Sequence, residues 1–490
     1  MSVSATPAPT EGTALSVARS AGPYHSRCKE AIAAPRAVFQ EFFMITSPQM
    51  AQRPTRYRWV VMAIIFVTYV ICMADRSNIG ALLPFIKEDF HMTNSQQGLI
   101  ASMFFLGYAI SQIPAGLIMG KFGTRNMVTF AVLCFSLITF LMGFTTTAIG
   151  LIVLRLLLGL AEGPTPVGMT STINNWFPKR EKGTATGIYI ASTQLAPMLV
   201  PPIVVVLAHN MGWQHVFWVF AIPGAIMAIV WHIFVRSYPR QSSRVNKAEL
   251  AHIASEEVVT QTNRKEASWM PRIDRLIRYR KVKRLETNGD VMRSWDIWGD
   301  TLAYFFMNNV LYGMLTWIPT YLVDARGYDV FAMGWVAACP ALGGIIGALT
   351  GGWVSDRIFA GRRKPTMLLT ALFTAIMFAV VLVVPNNMYV VALALILTGF
   401  CLNLGWPMFT AYAMNHSTEK TYPFAISIIN SGGNLGGFFA PLIVGMLLDA
   451  TGSYNVAFSY FVVVLLLAFV ILLTLREPKP QTASTGKEEA

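Results

Sequence analysis

Twelve long apolar stretches constrain the fold of this chain more than any other feature of its sequence. Each holds roughly 20 or more mostly apolar residues, the length that an α-helix needs to cross a bilayer. They lie at about 57–82, 97–118, 126–145, 149–173, 184–208, 214–236, 297–323, 332–355, 365–385, 388–412, 424–448 and 455–475. Membrane β-strands are shorter and alternate in polarity. The stretches therefore predict an all-α membrane protein with twelve transmembrane helices in two pseudo-symmetric six-helix bundles.

The composition supports a membrane protein and argues against several other classes. Hydrophobic residues make up 54% of the 490 residues and charged residues only 13%. Soluble proteins carry about 25% charged residues, so a soluble enzyme, a disordered scaffold and a fibrous protein are not expected. The formal net charge is +13. In a membrane protein such an excess indicates basic cytoplasmic loops rather than a nucleic-acid partner.

The basic residues predict the orientation in the membrane, because cytoplasmic loops are enriched in Lys and Arg. Basic residues lie before the first stretch, after the last, and in every second short loop: Arg53, Arg56, Arg58; Lys121, Arg125; Lys179, Arg180, Lys182; Arg357, Arg362, Arg363, Lys364; Arg476, Lys479. The alternate loops hold little beyond Lys87 and Arg326. We expect a multi-pass protein of the cell inner membrane with both termini in the cytoplasm.

A long polar segment divides the chain into two halves. We expect a flexible cytoplasmic tail at 1–55, a first bundle at 56–236, a basic cytoplasmic linker at 237–296, a second bundle at 297–476 and a cytoplasmic tail at 477–490. Within the linker, Arg272 to Arg284 is dense in basic residues. It is interpreted either as a solvated loop, which we favour, or as an amphipathic helix on anionic lipid.

Sequence motifs of enzymes and of cofactor sites are absent. The five cysteines form no CxxC pair, and there is no HExxH, GxSxG, phosphate-binding loop or dinucleotide fingerprint. We therefore expect no enzyme activity, no cofactor and no metal site. Without a motif for ATP hydrolysis, an ion gradient is the expected driving force for any work that the protein does.

Four ionisable residues inside the apolar stretches are the strongest candidates for function, since charge is costly in a membrane. Asp75 and Arg76 lie late in the first stretch, and Arg155 and Glu162 lie two turns apart in the fourth. The arginines are candidates for contact with a carboxylate substrate. The two acids are candidates for reversible protonation. The alternative is that the four form structural ion pairs.

Polar and aromatic side chains in other stretches either line the same cavity or hold helices together. They are Tyr108, Gln112, Gln194, Asn308, Asn309, Tyr312, Asn403, Trp406, Asn430 and Asn434.

The two halves with a central loop resemble the major facilitator superfamily. Its Gly-x-x-x-Asp-Arg/Lys-x-Gly-Arg/Lys signature is matched at Gly352, Asp356, Arg357, Gly361, Arg362 and Arg363, with two extra residues before the second glycine. The first copy keeps Gly116, Lys121, Gly123 and Arg125. In this copy Gly120 stands in place of the acidic residue. This removes a charge that is expected to hold the cytoplasmic ends of the two halves together. The resemblance implies a gating role for Gly116, Lys121, Asp356 and Arg357.

Three stretches resemble the anion:cation symporter family, which includes sugar-acid permeases. They are Ala74–Asn78, Arg155–Pro164 and Trp176–Gly183. The resemblance implies that Asp75 and Glu162 handle protons, that Arg76 binds a substrate carboxylate and that Arg155 is a cavity arginine. It places Tyr108, Gln194, Trp406 and Asn430 at substrate contacts. Met73 stands where these permeases often have tyrosine, which weakens the case for a polyhydroxylated substrate.

These observations predict a proton-coupled symporter that imports an organic carboxylate, with sugar acids such as hexuronates, aldarates or aldonates as the leading class. The alternatives are an importer of aromatic carboxylates such as phthalate, an exchanger or exporter of organic anions, and, remotely, a membrane ligand sensor. The expected partners are the organic anion, protons and the lipid bilayer. No nucleic acid is expected, and the protein is predicted to be a monomer.

Overall fold

The structure, a computed structural model, describes residues 53–254, 270–418 and 420–479. The tail predicted at 1–55 lies almost wholly outside the described residues, as do the middle of the linker and most of the tail predicted at 477–490.

The first half contains six long helical segments. They are α1 (Tyr57–Phe90), α2 (Asn94–Gly116), α3 (Phe122–Met142), α4 (Ala148–Trp176), α5 (Lys179–Met211) and α6 (Trp213–Phe234). A capping box on Thr93 starts α2, because the Thr93 side chain and the Gln96 side chain satisfy each other's main-chain N–H groups. The helix that carries α2 and α3 is broken at Gly123, whose φ of 73° is a left-handed conformation suited to glycine.

The second half repeats the arrangement. It contains α7 (Trp295–Asp324), α8 (Val330–Ile358), α9 (Lys364–Val383), α10 (Met388–His416), α11 (Tyr422–Thr451) and α12 (Tyr454–Thr474). Asp329 and Asn387 cap the beginnings of α8 and α10 by accepting main-chain N–H groups. The all-helical membrane fold predicted from the sequence is confirmed.

Eleven of these twelve segments are long and apolar enough, by length and composition, to cross a membrane. The exception among the described residues is α7. It spans 30 residues, but polar side chains such as Asn308 and Asn309 interrupt its apolar character. Both asparagines are buried, so the helix turns these polar groups toward protein rather than toward lipid.

Each half packs around its own apolar core. In the first half the core includes Phe104, Phe135 and Trp231, all fully buried. In the second half it includes Trp317, Phe378 and Phe461. Large apolar residues are exposed on the outer helix faces, for example Phe130 and Val383. An apolar outer surface of this kind is suited to contact with lipid.

At one end of the molecule, called the closed end, the halves touch. The Lys87 ammonium lies 2.8 Å from the Asp324 carboxylate of the other half. Close approach of α2 and α11 requires glycine, because a Cβ at Gly98 would overlap the Pro441 carbonyl and one at Gly445 would overlap the Asn94 carbonyl. The opposite end, which carries the linker, is called the open end.

The described parts of the linker dock onto the two halves. The short helix Lys247–Ala254 places the buried Glu249 against the beginning of α1, where it accepts hydrogen bonds from the main-chain N–H groups of Tyr57 and Arg58. Burial opposes ionisation of Glu249, but hydrogen bonds from Thr55 and from these N–H groups lower its pKa overall.

The basic segment from Arg272 to Arg284 lies against the second half. It contains the end of a short helix, Met270–Leu276, and strand β1 (Tyr279–Arg280), which pairs in parallel with β2 (Glu477–Pro478). Asp274 binds Arg362 at 2.6 Å, and Ile277 is fully buried. The segment is therefore neither one continuous amphipathic helix nor a wholly solvated loop. Strand pairing and ion pairing attach it to protein.

Candidate functional site

A cavity of about 1330 Å³ lies between the two halves. Its walls come from α1, α2, α4 and α5 of the first half and from α7, α8, α10 and α11 of the second. It extends toward the open end, where it is lined by Gly116, Thr186 and Trp298. A Cβ at Gly116, Gly183 or Gly352 would meet no described atom within 4 Å. These three glycines therefore face open space at that end.

Arg76 and Glu162 form an ion pair beside this cavity. The guanidinium Nε and Nη2 of Arg76 lie 2.8 and 2.6 Å from Glu162 Oε1. The other carboxylate oxygen, Oε2, has no hydrogen-bond partner among the described residues. The pair joins α1 to α4 and brings together two of the four ionisable residues that the sequence analysis selected.

Asp75 and Arg155 meet differently. Arg155 Nη1 donates to the main-chain carbonyl of Asp75 at 3.1 Å rather than to its carboxylate. That carboxylate accepts from Thr139 at 3.3 Å through Oδ2, and Oδ1 has no partner among the described residues. Neither Asp75 nor Arg155 is among the described residues that line the cavity. They lie in the packed interior of the first half.

Arg76 is the only charged side chain among the described residues that line the cavity. Its guanidinium stacks 4.2 Å above the Tyr108 ring and 5.2 Å from the Phe104 ring. Aromatic faces stabilise a cation without neutralising it. Together with the bond to Glu162, these rings fix the guanidinium at the cavity wall, where a carboxylate can approach it.

The predicted substrate contacts Tyr108, Gln194, Trp406 and Asn430 all line the cavity. Gln194 Nε2 donates to Asn403 Oδ1 at 2.7 Å, which links the two halves across the cavity. A second bridge forms between the Asn434 amide and Gln112 Oε1 at 3.1 Å. The paired amides are hydrogen-bonding groups that a polar ligand can replace, because the cavity gives access to all four.

Some polar residues have other surroundings. Asn309 does not line the cavity among the described residues, and it bonds to the Phe305 carbonyl and to Tyr460 on α12. It joins helices, which was the alternative interpretation for this group. The cavity also exposes Tyr69, Tyr189 and Tyr304, which the sequence analysis did not select. Tyr69 precedes Arg76 by two helical turns and so shares its face, a spacing that could have identified it.

The predicted gating residues lie at the open end. Gly116 lines the cavity, and Arg357 is exposed. Asp356 pairs with Arg363 at 2.8 Å, within the second half. The side chain of Lys121 lies outside the described residues.

In the parts of the chain that the structure describes, no group of three or more His, Cys, Asp or Glu side chains is arranged to hold a metal ion.

Comparison with known proteins gives one family match. The chain matches the family model described as Major Facilitator Superfamily over residues 65–334 and 327–490. It is 28% identical over 430 residues to a probable galactarate/D-glucarate transporter of Bacillus subtilis, covering 84% of this chain and 90% of that protein. It is 27% identical over 406 residues to a hexuronate transporter of the same organism, covering 81% and 90%.

Among solved structures, the fold is similar to that of a bacterial homolog of the human lysosomal transporter Spinster in an inward-facing, occupied conformation. The TM-score is 0.67 at 15% identity, with 85% of this chain and 96% of that chain covered.

Proposed function

Because this chain belongs to the Major Facilitator Superfamily and is a transporter rather than an enzyme, we propose that it carries a sugar acid inward across the inner membrane together with protons. The charge of the cavity is the observation that carries the proposal. Arg76 gives the described wall one fixed positive charge and no negative one. A carboxylate that leaves water needs such a partner, and a guanidinium can bind it through two hydrogen bonds.

Glu162 supplies the coupling to protons. While Glu162 is ionised, it occupies the Nε side of Arg76 through Oε1. A proton on the unpartnered Oε2 would neutralise the carboxylate and weaken that pair. The guanidinium is then available for the substrate anion, so proton binding favours substrate binding. Asp75, whose Oδ1 is also unpartnered, is a second carboxylate at which a proton can bind.

The substrate class rests on the polar groups around Arg76 and on the relatives. The amide bridges Gln194–Asn403 and Gln112–Asn434 can exchange their mutual hydrogen bonds for bonds to hydroxyl groups. Two relatives are transporters of galactarate/D-glucarate, by a probable assignment, and of hexuronate. We propose that the anion is an aldarate, hexuronate or aldonate, bound by Arg76 at a carboxylate and by the amides at its hydroxyls.

The orientation follows from the loop charges. Arg58, Arg125 and Arg357 all lie at the open end, and basic loops are retained in the cytoplasm. The structure would then be an inward-open state, in which alternating access requires the halves to rock around the cavity. We propose that one chain suffices for transport, because the cavity is built from the two halves of a single chain.

Aromatic side chains favour a second candidate substrate. Tyr69 and Tyr189 lie with ring centroids 4.4 Å apart, and Tyr304 and Trp406 lie 5.1 Å apart, all on the cavity wall. Met73 adds a further apolar group. Such a wall suits the ring of an aromatic carboxylate such as phthalate, which would bind Arg76 through its carboxylate but would not need the amide bridges.

Uptake into proteoliposomes tests both candidates. Galactarate, glucuronate, galactonate and phthalate are supplied with and without an inwardly directed proton gradient. We expect gradient-dependent uptake of a sugar acid, lost on Arg76→Gln and retained on Arg275→Gln, which changes an exposed linker arginine. Uptake of phthalate alone would favour the second candidate, and carboxylate uptake that survives Arg76→Gln would contradict the site.

A further inference from the structure

The second half contains a buried ionisable cluster that the proposed transport mechanism does not use. It consists of Asp296 and Asp300 on α7 and His416 at the end of α10, and is called the helix 7 cluster. Asp300 is fully buried, and Asp296 and His416 are each 1% exposed. None of the three is among the described residues that line the cavity.

Asp300 has no hydrogen-bond donor. Neither of its carboxylate oxygens has a partner among the described residues. Its neighbour Ile297 packs in an apolar cluster with Ala413 and Ile429. An ionised carboxylate in such surroundings loses its hydration and gains nothing in return, whereas the neutral acid avoids most of that cost.

Asp296, by contrast, is surrounded by donors. The Arg476 guanidinium donates to Asp296 Oδ2 through Nε at 3.0 Å and Nη2 at 2.7 Å, and the Arg476 main-chain N–H donates to Oδ1 at 2.9 Å. These bonds hold Asp296 as the anion. Asp300 lies one helical turn away, about 6 Å along the axis. A second negative charge so close is disfavoured, which again favours a proton on Asp300.

The His416 ring supplies a further place for a proton. Its Nδ1 lies 3.0 Å from the Tyr412 carbonyl, which can only accept, so Nδ1 carries a hydrogen. Its Nε2 has no hydrogen-bond partner among the described residues and lies 3.9 Å from Asp296 Oδ2. In the neutral ring, His416 Nε2 and Asp296 Oδ2 would both be hydrogen-bond acceptors, so no hydrogen would lie between them. A proton on Nε2 would turn this contact into an attraction.

The other titratable or charged groups near the cluster come from every element packed around it. They are Tyr304 on α7, Tyr412 on α10, Tyr422 on α11, Arg476 after α12, and Lys364 and Glu477 at the open end. Lys364 donates to three main-chain carbonyls and Glu477 accepts two main-chain N–H groups. Among the described residues, none of them hydrogen-bonds to Asp300.

We propose that the helix 7 cluster is a second proton-binding site, separate from Asp75 and Glu162 and located in the other half of the molecule. Its ligand is a proton held on the carboxyl group of Asp300. The side chain of Arg476 is 50% exposed, so the cluster lies one ion pair away from solvent at the open end. The proton therefore exchanges with the compartment on that side, and its presence stabilises the packing of α7 against α10 and the end of α12.

Infrared spectroscopy of the purified full-length protein in lipid nanodiscs, without substrate, tests the site directly. At neutral pH, the spectrum of wild type minus that of Asp300→Asn should contain the C=O band of a protonated carboxylic acid. Glu477→Gln, which removes another buried carboxyl, should leave this band in place. Absence of the band, or its loss when Na⁺ is added at constant pH, would overturn the proposal in favour of an ionised or cation-bound carboxylate.

A second variant covers the case in which Asp300→Asn does not fold. In an Asp75→Asn/Glu162→Gln/Glu477→Gln background, which removes three other buried carboxyl groups, Asp296→Asn removes the negative charge next to Asp300. The midpoint at which the remaining protonated-carboxyl band disappears should then move to lower pH by about one unit. An unchanged midpoint would overturn the proposal. Since transport is not measured, the outcome is independent of whether the protein carries a sugar acid.

Discussion

Asp449, near the end of α11, caps the beginning of α2 in the other half. Its two carboxylate oxygens accept the main-chain N–H groups of Asn94 and Ser95 at 2.9 and 2.8 Å, and the Ser95 hydroxyl donates to it as well. The first N–H groups of a helix lack partners within the helix and lie at the positive end of its dipole. One carboxylate thus stabilises α2 and joins the two halves at the closed end.

Replacing Asp449 should weaken closure at that end. Asp449→Asn removes the charge from this set of hydrogen bonds, and bonds to a charged group contribute about 1.5–3 kcal/mol. We expect the fraction of molecules in which the two halves are separated at this end to rise about tenfold, which corresponds to about 1.4 kcal/mol. Spin labels at the exposed Glu88 and Asn455, one in each half, would report the change as longer distances in pulsed electron resonance.

Asp329→Asn is the matched control for that experiment. Asp329 caps α8 in the same way but accepts from Phe331 and Ala332 within its own half. Asp329→Asn should lower the thermal stability of the protein without changing the distance between the labels. Equal distance changes in the two variants would mean that the Asp449 contact does not act as a link between the halves.

The Lys87–Asp324 ion pair also joins the halves, but it should contribute less to closure at this end than the Asp449 cap does. Both side chains are 32% exposed, and exposed ion pairs contribute about 0.2–1 kcal/mol. Lys87→Gln should therefore change the open population by a factor of about five at most, and less at high salt. The same spin-label pair measures it. A shift larger than that of Asp449→Asn would show that the ion pair, and not the cap, is the stronger link between the halves.

Acid should release the linker from the first half. Hydrogen bonds lower the pKa of Glu249, and a carboxylate with a lowered pKa contributes stability above its unfolded-state value, which is lost as the pH falls through the folded-state value. We expect Lys247–Ala254 to be protected from hydrogen exchange above the ordinary glutamate pKa of 4.5 and to lose that protection in stronger acid, as the pH falls through the lowered pKa of Glu249. Glu249→Gln should leave Lys247–Ala254 exposed to hydrogen exchange at every pH, because the docking of this helix loses about 2 kcal/mol.

Asp290→Asn serves as the control for the linker. Asp290 is an exposed acid in a capping box with Thr287, in the linker segment next to the second half. Its replacement should leave the exchange of Lys247–Ala254 unchanged. Loss of protection in both variants would show that the linker responds to charge in general and not to the Glu249 contact.

The sequence predicted the helices because a helix that spans the bilayer must be long and apolar. Both properties are visible in the composition of each stretch. The ends were harder to predict. α1 continues to Phe90, beyond the predicted end at 82. Its last turn at the closed end contains Lys87, Glu88 and Asp89, and these charged residues are not part of the apolar stretch. A charged helical turn in water does not differ from a loop in hydropathy.

The site was predicted in part, since polar groups stand out in apolar helices. Arg76 and Glu162 were selected for that reason, and they pair. Spacing could not reveal that Arg155 packs away from the cavity, because it does not say which helix face meets which neighbour. Asp300 escaped selection because it lies near the end of a stretch, where an acid normally reaches water. Its burial depends on the packing of α10, which the sequence does not specify.

The most direct test of the account separates exchange from accumulation in Glu162→Gln proteoliposomes. A glutamine cannot bind or release a proton, so Arg76 should remain available to the substrate anion. We predict that counterflow exchange of the sugar acid continues while accumulation driven by a proton gradient is lost. Glu181→Gln, which changes an acid paired with Arg58 away from the cavity, should accumulate substrate like wild type. Gradient-driven accumulation by Glu162→Gln would contradict the coupling of protons to Arg76.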